Sequence, residues 1–155
     1  MRGKQATKRK ILADPKFNSL VIAKLINHIM ERGKKTIAQK IVYGAFDIIR
    51  QKTKQDPLEV FEQALKNVTP EVEIKSKRIG GANYQIPFPV LRERGLALSF
   101  RWLIQAARSK KGKPMKEKLA EELMEAFNKQ GAAIKKKEDI YRMAQANRAF
   151  AHFAR

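Results

Sequence analysis

The glycine pair Gly80-Gly81 restricts the fold of this chain more than any other feature. It separates two extended runs within residues 75–89, in a sequence whose apolar residues otherwise have helical spacing. Glycine adopts the positive φ angles of tight hairpin turns without steric cost, and Asn83 tolerates them better than most residues do. The pattern therefore predicts a β-hairpin over residues 71–89.

Apolar stripes and cap signals predict helices in the rest of the chain. These helices cover residues 19–33, 36–53, 57–68, 92–109 and 115–129, and a last helix begins at Glu138 and Asp139. Thr36 and Gln39 form a capping-box pattern for the second helix, whereas residues 132–137 are expected to be a connector. We predict an all-α single domain of about six helices, with the hairpin protruding between the third and fourth helices.

The charge of the chain predicts a polyanionic partner. Its 155 residues include 34 Lys and Arg against 15 Asp and Glu, which gives a formal net charge of +19. Nucleic acid is the leading candidate and an anionic membrane surface the second. No apolar run approaches the roughly 18 residues of a membrane span, and the first residues lack the apolar core of a signal peptide. We therefore expect a soluble, intracellular protein.

The cations are concentrated in five clusters, which we predict to bind phosphates of RNA. Residues 1–13 are expected to form a basic N-terminal arm, ahead of a helical RNA-binding domain over residues 14–155. The clusters are Arg2, Lys4, Lys8, Arg9 and Lys10 in the arm; Arg32, Lys34 and Lys35; Lys75, Lys77 and Arg78; Arg108, Lys110, Lys111 and Lys113; and Lys135, Lys136 and Lys137. If the acidic third and fifth helices face outward, the five clusters could share one basic face.

The sequence offers little support for catalysis. The two histidines, His28 and His152, lie far apart and have no metal-ligand spacing, so we predict neither a metal site nor a cofactor, and no enzymatic activity. His28 is expected to be a half-buried packing residue of the first helix. The chain has no cysteine, which excludes disulfides and thiolate chemistry. The four glutamates of the fifth helix are expected to be exposed and paired with lysines at i, i+4 spacing. They are Glu117, Glu121, Glu122 and Glu125.

Aromatic residues next to cations favour RNA over a generic basic surface, because rings stack on unpaired bases. Tyr84 is the strongest candidate, since a hairpin tip has little core to join. Tyr141, Phe150 and Phe153 could also stack, although the two phenylalanines have the spacing of core residues. Trp102 and Ile37 are expected to point into the core.

Seven motifs, taken together and in this order, resemble the family of small-subunit ribosomal protein seven. They are Asp14-Pro15, MERGKK (30–35), IVYGA (41–45), RIGGANYQIP (78–87), RWLIQAA (101–107), KKKED (135–139) and MAQANRAFAH (143–152). The likeness covers essentially the whole chain, and its length is similar to that of bacterial or plastid members.

The resemblance implies a primary binder of small-subunit rRNA that nucleates assembly of the subunit head. It also implies a place beside the exit-site tRNA, contacts with the ninth and eleventh small-subunit proteins, and a single copy per ribosome, in the cytoplasm or the plastid stroma. Some bacterial members also bind their own mRNA. The residues that it puts near tRNA are Arg78, Gly80, Gly81, Asn83, Tyr84, Arg142 and Arg148.

Two other functions are compatible with a basic helical chain. A DNA-architectural or transcription-regulating protein could place Arg78 at a groove and Ile79 as a wedge, but no helix-turn-helix pattern is present. A nuclease would need a metal-binding constellation that the sequence does not provide.

Overall fold

The computed structural model describes residues 3, 6–7 and 9–154. The predicted contacts of Arg2, Lys4 and Lys8 therefore lie outside the described residues. Within them the chain forms six α-helices and one 3-10 helix. These are α1 (Leu20–Ile29), α2 (Lys35–Thr53), α3 (Pro57–Val68), α4 (Arg92–Ser109), α5 (Met115–Phe127), α6 (Ala132–Ala146) and the 3-10 helix Arg148–Ala154. The strands β1 (Val72–Ile79) and β2 (Ala82–Pro89) lie between α3 and α4. A mostly helical fold with a hairpin at this place is confirmed, although "all-α" describes it only loosely.

Local cap signals predicted the start of α3 correctly and the start of α2 incorrectly. At α3 the Asp56 side chain accepts a hydrogen bond from the Leu58 N–H (3.2 Å), and Pro57 occupies the first helical position, where its missing N–H costs nothing. At α2 the helix begins at Lys35, so Thr36 already lies within it and the predicted capping box is wrong. A residue with helical backbone angles cannot serve as the N-cap.

The last helix begins at Ala132, so the predicted connector over residues 132–137 is wrong and Glu138 and Asp139 are not in its first turn. Its cap comes from α5, because a Glu122 carboxylate oxygen accepts the Ala133 N–H at 2.9 Å. Gly131 precedes the helix with a φ of +93°, and a Cβ there would lie 2.9 Å from a Glu125 oxygen. This junction therefore requires glycine.

The chain separates into two compact units, residues 1–39 and 40–155, with α2 running from one into the other. In the described part of the first unit, the buried residues of α1 are Ile22, Ala23, Leu25, Ile26 and Ile29. Ile37 is 51% exposed and His28 is also exposed, so both burial predictions are wrong. The single-domain organisation, with an arm over residues 1–13, stays a prediction.

The core of the second unit is formed by α3, α4 and α5. Helix α3 packs on α5, α4 packs on α5 and α6, and the rings of Phe46 and Phe61 meet at 5.5 Å. Trp102 is 6% exposed, which confirms its predicted place in the core. Burying a large ring of this kind is a major source of stability.

The hairpin has the predicted bounds. Its strands pair in antiparallel fashion with Lys77 opposite Tyr84 and Ile79 opposite Ala82. The turn is the glycine pair itself, with φ angles of +55° and +89°, as a type I′ turn requires. The base is attached to the helical body, since Ile86 is fully buried and Arg94 of α4 donates to Glu73 at 3.1 Å.

Candidate nucleic-acid interface

The hairpin tip packs against the 3-10 helix. The Tyr84 ring lies 5.1 Å from the Phe150 ring and 5.8 Å from the Phe153 ring, and Lys77 Nζ donates to the Phe153 carbonyl oxygen at 3.1 Å. Tyr84, Phe150 and Phe153 are all half-buried. The expectation that Tyr84 has little to pack against is therefore wrong, because the end of the chain supplies an aromatic platform for it.

This packing brings together most of the residues predicted to lie near tRNA. Arg78 and Asn83 pair across the tip, both exposed, and Arg148 opens the 3-10 helix that holds Tyr84. We call Lys77, Arg78, Asn83, Tyr84 and Arg148 the tip surface. Gly80 and Gly81 shape its turn without side chains of their own. Arg142 lies apart from it, on α6.

A second group of cations occupies the corner between α1 and α2. Arg32 and Gly33 have left-handed backbone angles, with φ of +51° and +74°, and turn the chain sharply there. Arg32, Lys34 and Lys35 are exposed, and we call them the corner cluster. No carboxylate in the described part of the chain forms an ion pair with them. In the described part of the arm, Arg9 and Lys10 are exposed as well.

The cations after α4 are partly neutralised by α5. Lys110 Nζ lies 2.8 Å from Glu125 Oε1 and 3.1 Å from Glu122 Oε2, and the Glu122 side chain is fully buried. Burial alone would lower the pKa of Lys110, but the hydrogen bonds and charges of Glu125 and Glu122 outweigh it and raise the pKa. The prediction that Glu122 is exposed is wrong, because its carboxylate both caps α6 and pairs with Lys110.

The other cations of this cluster, Arg108 at the end of α4 and Lys111 and Lys113 in the loop, are exposed. Lys113 also forms an ion pair with Glu121 of α5. At the hairpin base Lys75 pairs with Glu73 at 2.9 Å, and its ammonium lies 5.0 Å from the centre of the Phe88 ring. Several of the predicted phosphate contacts thus have roles inside the protein.

Lys137 differs from the two exposed lysines before it, Lys135 and Lys136. It is half-buried, and its Nζ donates to the Asn67 carbonyl oxygen at 2.6 Å. Burial lowers the pKa of Lys137, and the nearby carboxylates of Glu71 and Glu138 offset this only in part. An ammonium group in this position is under-compensated by negative charge.

Lys137 lines a groove between α6 and the end of α3. The groove has a volume of about 790 Å³. We call it the α6 groove. It is lined by Lys66, Asn67, Glu71, Lys129, Ile134, Lys137, Glu138, Tyr141, Arg142 and Gln145. Lys137, Tyr141 and Arg142 were predicted separately from the sequence, but the groove that they share with Lys66 and Lys129 was not, because those two lysines come from other parts of the chain. The only local signal was Tyr141 four residues after Lys137, a spacing that puts both on one face of α6.

Within the described residues, no group of three or more His, Cys, Asp or Glu side chains could hold a metal ion. None of the described helices is both long and apolar enough to cross a membrane.

A mostly helical body with a cationic hairpin and exposed clusters of cations defines a class of basic proteins suited to a polyanionic partner. The comparisons with known proteins specify that class. Residues 1–148 match the family described as ribosomal protein S7p/S5e, and the chain belongs to this family, in its bacterial type.

Three bacterial relatives illustrate the likeness. The chain is 62% identical to the small ribosomal subunit protein uS7 of Thermotoga maritima over 153 residues, or 99% of each chain. It is 61% identical to the uS7 protein of Caldicellulosiruptor bescii over 147 residues, or 94% of each chain. It is 58% identical to the uS7 protein of Dictyoglomus turgidum over 147 residues, or 95% of this chain and 94% of that one.

Membership of this family makes the chain a structural ribosomal protein of the small subunit, and not an enzyme. It assigns the protein to translation and to a ribonucleoprotein, in place of DNA architecture, transcription control or nuclease activity. The three relatives are bacterial, and nothing supports the plastid alternative.

Proposed function

We propose that the chain binds small-subunit rRNA directly and nucleates assembly of the subunit head, on cytoplasmic ribosomes. The observation that carries this proposal is the corner cluster, three exposed cations on a sharply turned corner without carboxylate partners among the described residues. Cations held in fixed directions by a short turn are suited to phosphates, and folded RNA is read largely through its shape and backbone. Exposed Arg9, Lys10, Lys111, Lys135 and Lys136 would add further phosphate contacts.

The tip surface has a separate role in this proposal, beside the exit-site tRNA. Its cations are Lys77, Arg78 and Arg148, and Lys77 lies opposite Tyr84 on the same face of the hairpin, so this surface offers charge together with an aromatic edge. The family resemblance further supports the ninth and eleventh small-subunit proteins as neighbours. Arg142 is a further proposed tRNA contact, on the α6 groove instead of the tip surface.

The corner cluster can be tested by replacing Lys34 and Lys35 with alanine in the full chain. Binding to an rRNA fragment that contains the head junction should weaken by about tenfold or more, since two phosphate contacts are removed. The melting temperature should stay nearly unchanged, because both side chains are exposed. The matched control is Lys40→Ala with Lys52→Ala, two exposed lysines of α2 outside the predicted clusters.

Equal weakening by the test and control pairs would mean that only net charge matters, and the corner would have no specific role. A large loss of thermal stability in the test pair would assign it to folding instead.

The tip surface is tested by replacing residues 78–83 with Asn-Gly, which closes a two-residue hairpin turn between Lys77 and Tyr84. Because the aromatic packing of Tyr84 is kept, the variant should fold and enter small subunits normally, while retention of exit-site tRNA changes. Failure to enter subunits would show that the tip serves assembly, and the division of roles would be wrong.

A further inference from the structure

The α6 groove has the charge of an anion-binding site. Lys66, Lys129, Lys137 and Arg142 line it against two carboxylates, Glu71 and Glu138, which leaves an excess of two positive charges. Such a concave surface concentrates positive potential and attracts anions. Its volume of about 790 Å³ also falls in the usual range of ligand sites, roughly 300–1,000 Å³.

Lys137 provides a specific anchor within this groove. Its Nζ uses one of three donors on the Asn67 carbonyl, which leaves two donors for a ligand. Because burial lowers the pKa of Lys137, its charged form is under-stabilised in the free protein. An incoming anion would supply the missing negative charge, whereas a cation would be repelled.

Two planar groups at the groove favour a nucleotide over an acidic peptide. The Tyr141 residue is 52% exposed and the Arg142 side chain is 79% exposed, with only a long 3.9 Å contact to Asp139. Ile134, nearly buried, adds an apolar surface to the same groove. Unpaired bases stack on aromatic rings and guanidinium planes, and acidic side chains offer no comparable face.

We propose that the α6 groove binds one unpaired nucleotide of RNA, with its phosphate on Lys66, Lys129 and Lys137 and its base stacked on Tyr141. The amide of Asn67 takes no part in reading the base, since it already donates to the Ala126 and Phe127 carbonyl oxygens at 3.0 Å. Selectivity for the base is therefore expected to be weak, as is usual for stacking. This site rests on the proposed RNA binding of the protein and adds a second mode to it, distinct from phosphate contacts at the corner cluster.

Photo-crosslinking tests the site directly, because it reports position even when other basic surfaces also bind RNA. The full chain is irradiated with a hexauridine that carries one 5-iodouridine, and the tryptic peptides are sequenced by mass spectrometry. The expected result is a crosslink on Tyr141 within the tryptic peptide of residues 138–142. Unmodified hexauridine should compete for it, and hexaglutamate at the same concentration should not.

Two variants identify the contributing groups. Lys66→Gln with Lys129→Gln should reduce the crosslink by about fivefold or more, whereas the control pair Lys40→Gln with Lys52→Gln should leave it nearly unchanged. Tyr141→Leu keeps apolar mass without a flat ring and should weaken hexauridine affinity by about tenfold at this site. Unchanged melting temperatures are expected for all three variants, since every altered residue is exposed.

Three results would overturn the proposal: no crosslink in residues 138–142, equal losses in the test and control pairs, or displacement by hexaglutamate as effective as by hexauridine. The last would make the groove a site for an acidic peptide. If rRNA binding with a steep salt dependence persists in that case, the proposed function stands and the groove alone is rejected.

A further arm identifies which RNA supplies the nucleotide. The crosslink is repeated with the protein already bound to its rRNA fragment. Loss of the hexauridine crosslink would assign the groove to rRNA, and persistence would assign it to another single-stranded RNA. Either result supports a nucleotide site.

Discussion

At the scale of single residues, Glu122 contributes to three parts of the structure. Its buried carboxylate accepts the Ala133 N–H in the first turn of α6, pairs with Lys110 at the end of α4, and lies against the position that Gly131 leaves empty. A buried carboxylate is tolerated only when it is well compensated, and removing one partner of such a pair is strongly destabilising. Lys110 is therefore a structural residue first, whatever phosphates pass near it.

We expect Lys110→Ala to lower the free energy of unfolding by about 3 kcal/mol, the lower end of the range for a broken buried pair, since Lys110 is 23% exposed. Chemical denaturation measures this. Adding Glu122→Gln should restore part of the loss, because the orphaned charge is removed while an oxygen remains for the Ala133 N–H. Lys111→Ala, an exposed neighbour, should change stability by less than about 0.5 kcal/mol. Full stability of Lys110→Ala with weakened rRNA binding would contradict this assignment.

At the scale of elements, the hairpin is held at both ends. Its base is tied to α4 through Glu73, which pairs with Arg94 and Lys75, and its tip rests on the 3-10 helix through Tyr84. A two-stranded hairpin is marginal by itself in water, so each attachment contributes to keeping it in place.

The base attachment should depend on pH. Partial burial would raise the pKa of Glu73, but hydrogen bonds from Lys75 and Arg94 outweigh it, and the pKa is lowered. A lowered pKa means that this contribution to stability is present above about pH 4.3 and is lost as the pH falls through the folded-state value. We expect the protection of the hairpin-base amides, which is the intrinsic exchange rate at the same pH divided by the observed rate, to fall on acidification of the native protein. In Glu73→Gln the protection of these amides should no longer depend on pH in this range. If the variant and the native protein show the same pH profile, Glu73 does not have this role.

The tip attachment should depend on the aromatic platform. Two ring contacts to Tyr84 are worth about 1–3 kcal/mol together, so Phe150→Ala with Phe153→Ala should speed amide exchange over residues 77–84 by about tenfold or more. The melting temperature should fall by only a few degrees, because the two rings are half-buried and lie outside the helical core. Met143→Ala, at an exposed residue of α6, serves as the control. Unaltered exchange at the tip would mean that the hairpin is rigid without the 3-10 helix.

At the scale of the whole molecule, charge dominates the behaviour of the protein. The formal net charge is +19. Lys110 and Lys113 are paired with carboxylates of α5, so the other exposed cations are the ones available to a polyanion. We expect about six to ten phosphate contacts with rRNA and hence a log–log salt slope of about −5 to −9. Titrations of the rRNA fragment between low and near-physiological salt measure it. A slope shallower than about −2 would mean that the cations are mainly solvated in the complex.

Local signals predicted the parts of the fold that depend on neighbouring residues. Gly80 and Gly81 specify their turn by backbone freedom alone, and Asp56 with Pro57 starts α3 within two residues, so both were predictable. The start of α6 was not, since its cap comes from Glu122, eleven residues before Ala133. The corner cluster was predictable because its three cations lie within four residues of sequence, whereas the residues of the α6 groove come from α3, α6 and two connecting segments and are brought together only by the tertiary structure.

The platform beneath Tyr84 has a consequence for the order in which the protein matures during synthesis. Phe150 and Phe153 follow every other described element in the chain, so they leave the translating ribosome after the hairpin has emerged. Chains fold progressively from the N-terminal side as they are made. The hairpin of a nascent chain therefore projects without its support, and the tip surface is completed only when the 3-10 helix has been synthesised. A chain truncated at Asn147 would have every strand and α-helix of the fold, but no fixed direction for Arg78.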